Sequence, residues 1–315
     1  MLEETLASLA RMRVAPEITW DVVVVDNNST DDTAEVVRAS QARYPASLYY
    51  VREERQGKSF ALNTGLTASQ STFVLFTDDD VRVEPGWLEA SIAPMMADAS
   101  IDYTGGPVRP IWGARRPRWL GDDRADLWGA IAILDYGPAP LVFEEQGRIP
   151  IGANMAVRRT LIDAIGGFAP ELGRKGNSLL GQEQAEFFCR TRAHGARGLY
   201  VPDMELHHHV PARRLTRRYF RQWWVWKGIS RARLHRMHPR ADSGVDIQAI
   251  KRIRGVPRFM IGEMLRHTAR LVASLVRRDL RSSVEHEMML AYYAGYAWED
   301  WRRHEGRRRP ANGPR

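Results

Sequence analysis

The chain has 315 residues, 44% of them hydrophobic, and a formal net charge of +8. That composition can build one large α/β domain with helical additions and excludes a disordered chain. Its single cysteine, Cys189, excludes an internal disulfide and suits a reducing compartment. No run of about 20 apolar residues is present, so no ordinary transmembrane helix is expected. Met1-Leu2-Glu3-Glu4 also lacks the basic and apolar segments of a signal peptide.

Leu2, Leu6 and Leu9 are spaced for one face of an opening helix. Trp20 to Asp26 is a near-continuous β-branched run, as in a strand buried on both faces. It breaks into Asn27-Asn28-Ser29-Thr30-Asp31-Asp32, residue types that favour turns and caps. Asp32 and Glu35 have the spacing of a capping box for a helix over 31–42. Asp26 has no such local role, and it closes a strand where ligands bind in open α/β sheets. A strand over 48–52, a helix over 58–69 and a strand over 73–77 continue the alternation, which predicts a mostly parallel sheet flanked by helices.

Phe73-Val74-Leu75-Phe76 leads into Asp78-Asp79-Asp80. Adjacent carboxylates repel one another. A divalent cation removes the repulsion, and Mg²⁺ or Mn²⁺ on oxygen ligands bridges readily to phosphates. A solvated acidic turn is the plainer alternative; the apolar run before the triplet and Val81 to Leu88 after it favour a metal–diphosphate site. A helix over 84–96 follows, then a loop over 105–121 rich in Gly, Pro, Trp and Arg. Helices over 158–165 and 182–194 flank a loop at 166–181. A short strand at Leu199 to Pro202 leads to His207-His208-His209, more histidines than packing needs.

Val22 to Thr33, Gly57-Lys58-Ser59-Phe60-Ala61-Leu62-Asn63-Thr64-Gly65, Phe76 to Asp80, Gly152-Ala153-Asn154-Met155-Ala156 and Gly166-Gly167-Phe168 occur in an order and spacing that resemble family 2 glycosyltransferases. The resemblance covers roughly the first two-thirds of the chain. It implies the GT-A fold, a Rossmann-like α/β architecture, and inverting, metal-assisted transfer of a sugar from a nucleotide-diphosphate donor to a glycan or lipid-linked acceptor. By resemblance, Asp26 and Asn28 contact the nucleotide, and Lys58 contacts the diphosphate or base, an exposed helix-start lysine being the alternative. Asp78 and Asp80 match an Asp-x-Asp metal pattern with Asp79 the spare beside them on the donor, the resemblance leaving open which two of the three coordinate. His208, with His207 second, completes the Mn²⁺ or Mg²⁺ set. Gly152 and Asn154 fall in a loop on the acceptor side. Gly166-Gly167-Phe168 has a sufficient structural role as a helix C-cap and apolar anchor.

The family's base is usually the Asp of a Glu-Asp pair at a helix start. Here Gly181-Gln182-Glu183-Gln184 aligns Gln184 with that Asp, and an amide cannot serve as a base. Glu183 is the next carboxylate, at a helix N-terminus that favours its ionised form; Glu186 is a weaker candidate. Members of the family also carry a strand before the opening helix, so roughly 10–15 further residues upstream of Met1 are expected, enough for a strand and its loop.

The charge is divided: residues 1–210 carry −8 and residues 211–315 carry +16. The expected organisation is a catalytic domain over 1–210, a basic aromatic helical extension over 211–301 and a disordered Arg-rich tail over 302–315. Arg217 to Lys227 mixes cations with aromatic rings, and Arg266, Arg270, Arg277 and Arg281 share one helix face, opposite Met260, Met264, Leu271, Val272, Leu275 and Val276. A helix packed on the enzyme or one lying in an anionic membrane interface would each fit. The chain is expected in the cytoplasm, peripheral on the inner face of the cell membrane, with nucleic acid not its partner. A catalytically impaired protein of the same fold that binds membrane or glycan is the competing reading.

Overall fold

A computed structural model describes residues 1–121, 125–176, 178–241 and 244–308. The elements in chain order are α1 (Leu2–Leu9), β1 (Asp21–Asp26), α2 (Thr33–Gln41), β2 (Ser47–Arg52), α3 (Lys58–Ala68), β3 (Phe73–Phe76), β4 (Val81–Val83), α4 (Trp87–Ala97), β5 (Tyr103–Gly105), β6 (Val108–Trp112), α5 (Ala125–Trp128), β7 (Leu141–Val142), β8 (Met155–Arg158), α6 (Arg159–Ile165), α7 (Glu183–Ala193), β9 (Gly198–Tyr200), β10 (Leu206–Val210), α8 (Arg217–Met237), β11 (Arg252–Ile253), β12 (Val256–Pro257), α9 (Arg258–Val276) and α10 (Leu280–Arg308). The chain divides into one unit of residues 1–115, 123–176 and 183–212, and a second of residues 116–122, 177–182 and 213–315.

The first unit has the expected α/β architecture, but its sheets are mixed rather than mostly parallel. β1 pairs with β2 in parallel. A five-stranded sheet runs β3-β8-β5-β9-β7, and only its β5–β9 pair is parallel. β10 lies between β4, antiparallel, and β6, parallel. Among the described residues, β1 hydrogen-bonds β2 alone and β3 hydrogen-bonds β8 alone. The core of the five-stranded sheet is aromatic: Tyr103 stacks on Phe143 at 5.6 Å, and Phe168 stacks on Phe187 at 4.9 Å. Such pairs add about 1 kcal/mol each beyond the area they bury.

Three local expectations are corrected. The segment expected as a loop over 105–121 contains β6, at the edge of its sheet. An edge strand tolerates Pro110, because the missing N–H need not enter a ladder. The capping box is absent: Asp32 makes no side-chain cap, and Asp31 instead accepts from the Thr33 amide and hydroxyl. The histidine triplet lies within β10 rather than after a strand.

In the second unit, Thr216 caps α8 by accepting from the Tyr219 amide at 3.2 Å. α8 meets α10 at two glycines. A Cβ on Gly228 would come within 2.0 Å of the Tyr292 carbonyl oxygen, and one on Gly295 within 2.0 Å of that of Val225. The absence of side chains therefore lets the two helix backbones touch. α10 continues to Arg308, so 302–308 of the segment expected to be disordered is helical; 309–315 lie outside the described residues.

Candidate active site

The acidic turn after β3 is fastened from two elements. The Thr5 hydroxyl of α1 lies 2.9 Å from the Asp79 carbonyl oxygen and 2.8 Å from that of Val81. The His209 amide of β10 donates to the Asp80 carbonyl at 2.9 Å. The two-residue period of β10 then selects among the histidines. Leu206, His208 and Val210 are buried, and His208 Nε2 lies 3.4 Å from Asp80 Oδ2. His207 faces the other way. Its Nε2 is 3.1 Å from Glu84 Oε1 and 3.4 Å from Glu205 Oε1, so its expected place beside Asp80 is not what the fold gives it. Those three side chains have ligand atoms within 4.8 Å of one another and form a separate acidic group.

Lys58 is not an idle surface lysine. Its Nζ lies 2.7 Å from Asp78 Oδ1. Burial alone would lower its pKa, but the Asp78 and Glu183 charges raise it above its ordinary value and keep it cationic. Asp79 is held above the usual carboxylate range by lost solvation and by the Asp80 and Asp78 charges, which Lys58 offsets least of all. The turn thus carries crowded negative charge next to a buried imidazole. Carboxylate oxygens with a histidine nitrogen fit Mn²⁺ or Mg²⁺ in chemistry, and His208 with Asp80 is the pair that the fold brings together.

Glu183, the first residue of α7, is 8% exposed, and its Oε2 has no hydrogen-bond partner among the described residues. Burial raises its pKa, with the Lys58 charge countering only in part. A buried carboxylate with an open oxygen and a raised pKa can accept a proton. Glu186 has a different environment. Arg190 grips both its oxygens at 2.9 and 2.8 Å and donates to the Gly166 and Gly167 carbonyls. Through Arg190 it braces the loop after α6.

Gln184 uses both ends of its amide. Its Oε1 accepts from the Gly152 amide at 2.9 Å, and its Nε2 donates to the Pro150 carbonyl. Asn154, expected on the acceptor side, is completely buried. It accepts from Trp87 Nε1 at 2.8 Å and donates to the Pro107 and Met204 carbonyls at 2.9 and 2.7 Å. Its amide is thus taken up within the core, while the Gly152 amide lies on Gln184, next to Glu183.

Asp26 does have a local role. It is buried, accepting from the Ser29 amide at 2.7 Å and from the Tyr50 hydroxyl at 2.6 Å. Burial would raise its pKa, but these donors outweigh it and hold the carboxyl low. Asn28, at φ 60°, accepts from Arg52 at 2.7 Å. Sequence reading missed the supporting residues. Asn27 ties the Gly57 amide at 2.7 Å and the Arg55 carbonyl at 2.8 Å, so that Gly57, at φ 148°, opens α3 in a conformation only glycine adopts freely. Glu53, held down to about 2 by Arg55 and Thr64, anchors the same turn. Asn63 binds both the amide and carbonyl of Phe168 at 2.8 and 2.9 Å, and Gly166, at φ 80°, ends α6 as expected.

Residues 1–166, bearing both acidic strand ends, match the family model described as Glycosyl transferase family 2. The chain belongs to that family. It is a glycosyltransferase. It is 28% identical over 228 residues to the succinoglycan biosynthesis protein ExoM of Rhizobium meliloti, covering 70% of this chain and 68% of that one. It is 23% identical over 222 residues to the glucosyl-dolichyl phosphate glucuronosyltransferase of Haloferax volcanii, covering 70% and 69%. The GT-A fold is shared with the mannosyltransferase PcManGT of Pyrobaculum calidifontis, solved in complex with GDP-Man and Mn²⁺. That likeness has a TM-score of 0.53 at 22% identity, over 96% of this chain and 80% of the other.

Proposed function

We propose that this glycosyltransferase moves a hexose from a nucleoside-diphosphate donor to an acceptor hydroxyl, with inversion, in the synthesis of a cell-surface polysaccharide or lipid-linked glycan. The observation that carries the reading is the open Oε2 of buried Glu183, electrostatically coupled to the Lys58–Asp78 pair. Glu183 takes the acceptor proton as the hydroxyl oxygen bonds to the anomeric carbon. The old anomeric C–O bond breaks on the opposite face, its electron pair going to the β-phosphate oxygen of the departing nucleotide. Lys58 exchanges Asp78 for the diphosphate and offsets its growing charge. Asp78, Asp80 and His208 would hold Mn²⁺ or Mg²⁺, which when bound supplies charge neutralisation at the diphosphate. Asp26 and Asn28 shape the turn that receives the nucleotide, and Asp79 adds a donor contact from the acidic turn after β3.

The names of the two relatives support a polysaccharide or dolichyl-phosphate-linked acceptor. The +16 charge of residues 211–315 supports a peripheral place on an anionic membrane surface, on its cytoplasmic side. The test is Glu183→Gln, assayed by nucleotide release over a panel of nucleotide sugars and by calorimetric donor binding. Donor affinity should be retained while turnover falls about 10²-fold or more. Equal loss of donor binding would make Glu183 structural and remove it as the base.

A further inference from the structure

α9 has two apolar faces, and folding uses one of them. Met260, His267 and Ser274 are buried, and Met260 joins Ala232, Ile247 and Tyr296 in the core of the second unit. His267 lies against Tyr293 and His286 of α10. The residues expected to form one apolar side therefore separate: Met260 goes inward, while Val272, Leu275 and Val276 stay 56%, 56% and 79% exposed. Leu265, 69% exposed, Ala269, Val272 and Val276 fall within an arc of about 60° at 100° per residue. Arg266, Arg270 and Arg277, all exposed, flank that stripe on one side. Leu280, Arg278 and Arg281 extend the same composition past the helix end, and all three are exposed.

We propose that this outward stripe of α9 is a membrane-docking surface that inserts its apolar residues into an anionic lipid headgroup layer, with the arginines on lipid phosphates. An apolar stripe with a cationic flank suits a helix lying in the interface plane. No helix among the described residues, α9 included, is long and apolar enough to cross a membrane. Anionic lipid also suits the charge better than a pairing of α9 with α9 of a second copy does. The acidic residue on α9 is Glu263, already ion-paired with Arg266 at 2.7 Å, so a second α9 would bring cations without matching carboxylates. The assignment rests on the peripheral placement proposed above and gives it a surface, independently of the transfer chemistry.

The experiment is flotation of the full chain with phosphatidylcholine vesicles, with and without phosphatidylglycerol. Binding should require phosphatidylglycerol and weaken with salt. Leu265→Asp, Val272→Asp and Val276→Asp combined should abolish it. Arg266→Gln, Arg270→Gln and Arg277→Gln combined should weaken it roughly a hundredfold, at on the order of fivefold per arginine near an anionic surface. Every substituted side chain is exposed, so melting temperature should hold in both variants, and each tests the surface separately. Wild-type affinity in both would overturn the α9 assignment while leaving peripheral binding in place. Failure of the wild-type chain to float would overturn both. A dimer in light scattering that the aspartate variant dissociates would assign the stripe to a second copy and overturn the lipid proposal.

Discussion

Gln184, which the resemblance aligns with the family's usual base, is employed as a clamp. One end of its amide accepts from Gly152 and the other donates to Pro150, so it pins the turn that leads into β8. An aspartate could accept but not donate, is one methylene shorter, and would add a second negative charge beside Glu183. Gln184→Asp should therefore raise the acceptor KM several-fold, leave the donor KM unchanged and cost about 1 kcal/mol of stability for the lost hydrogen bond. Steady-state kinetics with donor and acceptor varied separately would read this directly. A higher turnover number in that variant would show that the clamp is dispensable and that a carboxylate is wanted at position 184.

α8 and α10 form a pair held by backbone contact and by charge. Gly228 and Gly295 set the close approach, and arginines on α8 face carboxylates on α10 along its length. Arg217 and Arg221 bind Glu287, while Arg233 and Arg236 bind Glu299 at 3.2 and 2.8 Å. Burial would raise the Glu299 pKa, but Arg233 and Arg236 outweigh it and hold the carboxyl below its ordinary value. A depressed folded-state pKa means that the unfolded chain binds more protons in acid. Glu299 thus contributes stability that is present above the ordinary carboxylate range and is lost as pH falls through the folded value. Glu299→Gln should lower stability at neutral pH by about 3 kcal/mol, the scale for breaking a buried ion pair. It should also flatten the acid dependence of melting of the helical unit. Identical pH–melting curves for wild type and variant would mean that the glycine contact, not the charge, holds the helices together.

Charge is unevenly distributed over the whole molecule: the −8 of residues 1–210 covers the site, and the +16 of residues 211–315 covers the helical unit. Ligands should separate the two in a thermal scan. On the proposed reading Mn²⁺ with a nucleotide-sugar donor would bind the folded first unit only, and at a hundred times Kd such a ligand adds about 2.7 kcal/mol. Its transition should rise while that of the helical unit stays. Asp80→Asn removes one charge from the crowded turn and should erase the metal-dependent part of the rise. A full shift in Asp80→Asn, or no effect of EDTA on the wild-type shift, would remove the turn after β3 as the metal site.

The order of helices and strands, the two acidic strand ends and the acidic start of α7 were readable in the sequence, because periodicity and turn chemistry act over a few residues. So was the charge division, which is a property of composition. Motif spacing singles out His208 from the triplet as an expectation, and the pleat of β10 buries His208 while turning His207 to the opposite face. What only the tertiary structure decided depends on residues far apart in the chain. β6 exists because β10, about 100 residues later, supplies its ladder. The mixed strand directions follow from β8 returning between β3 and β5. The buried amide of Asn154 is engaged by Trp87, Pro107 and Met204, and Glu186 is gripped by Arg190, one turn on, which is also aimed at loop carbonyls. A carboxylate or amide has the same local signature whether it faces substrate or a buried carbonyl. Which of the two it meets is set by packing between distant segments, and the local sequence does not encode that.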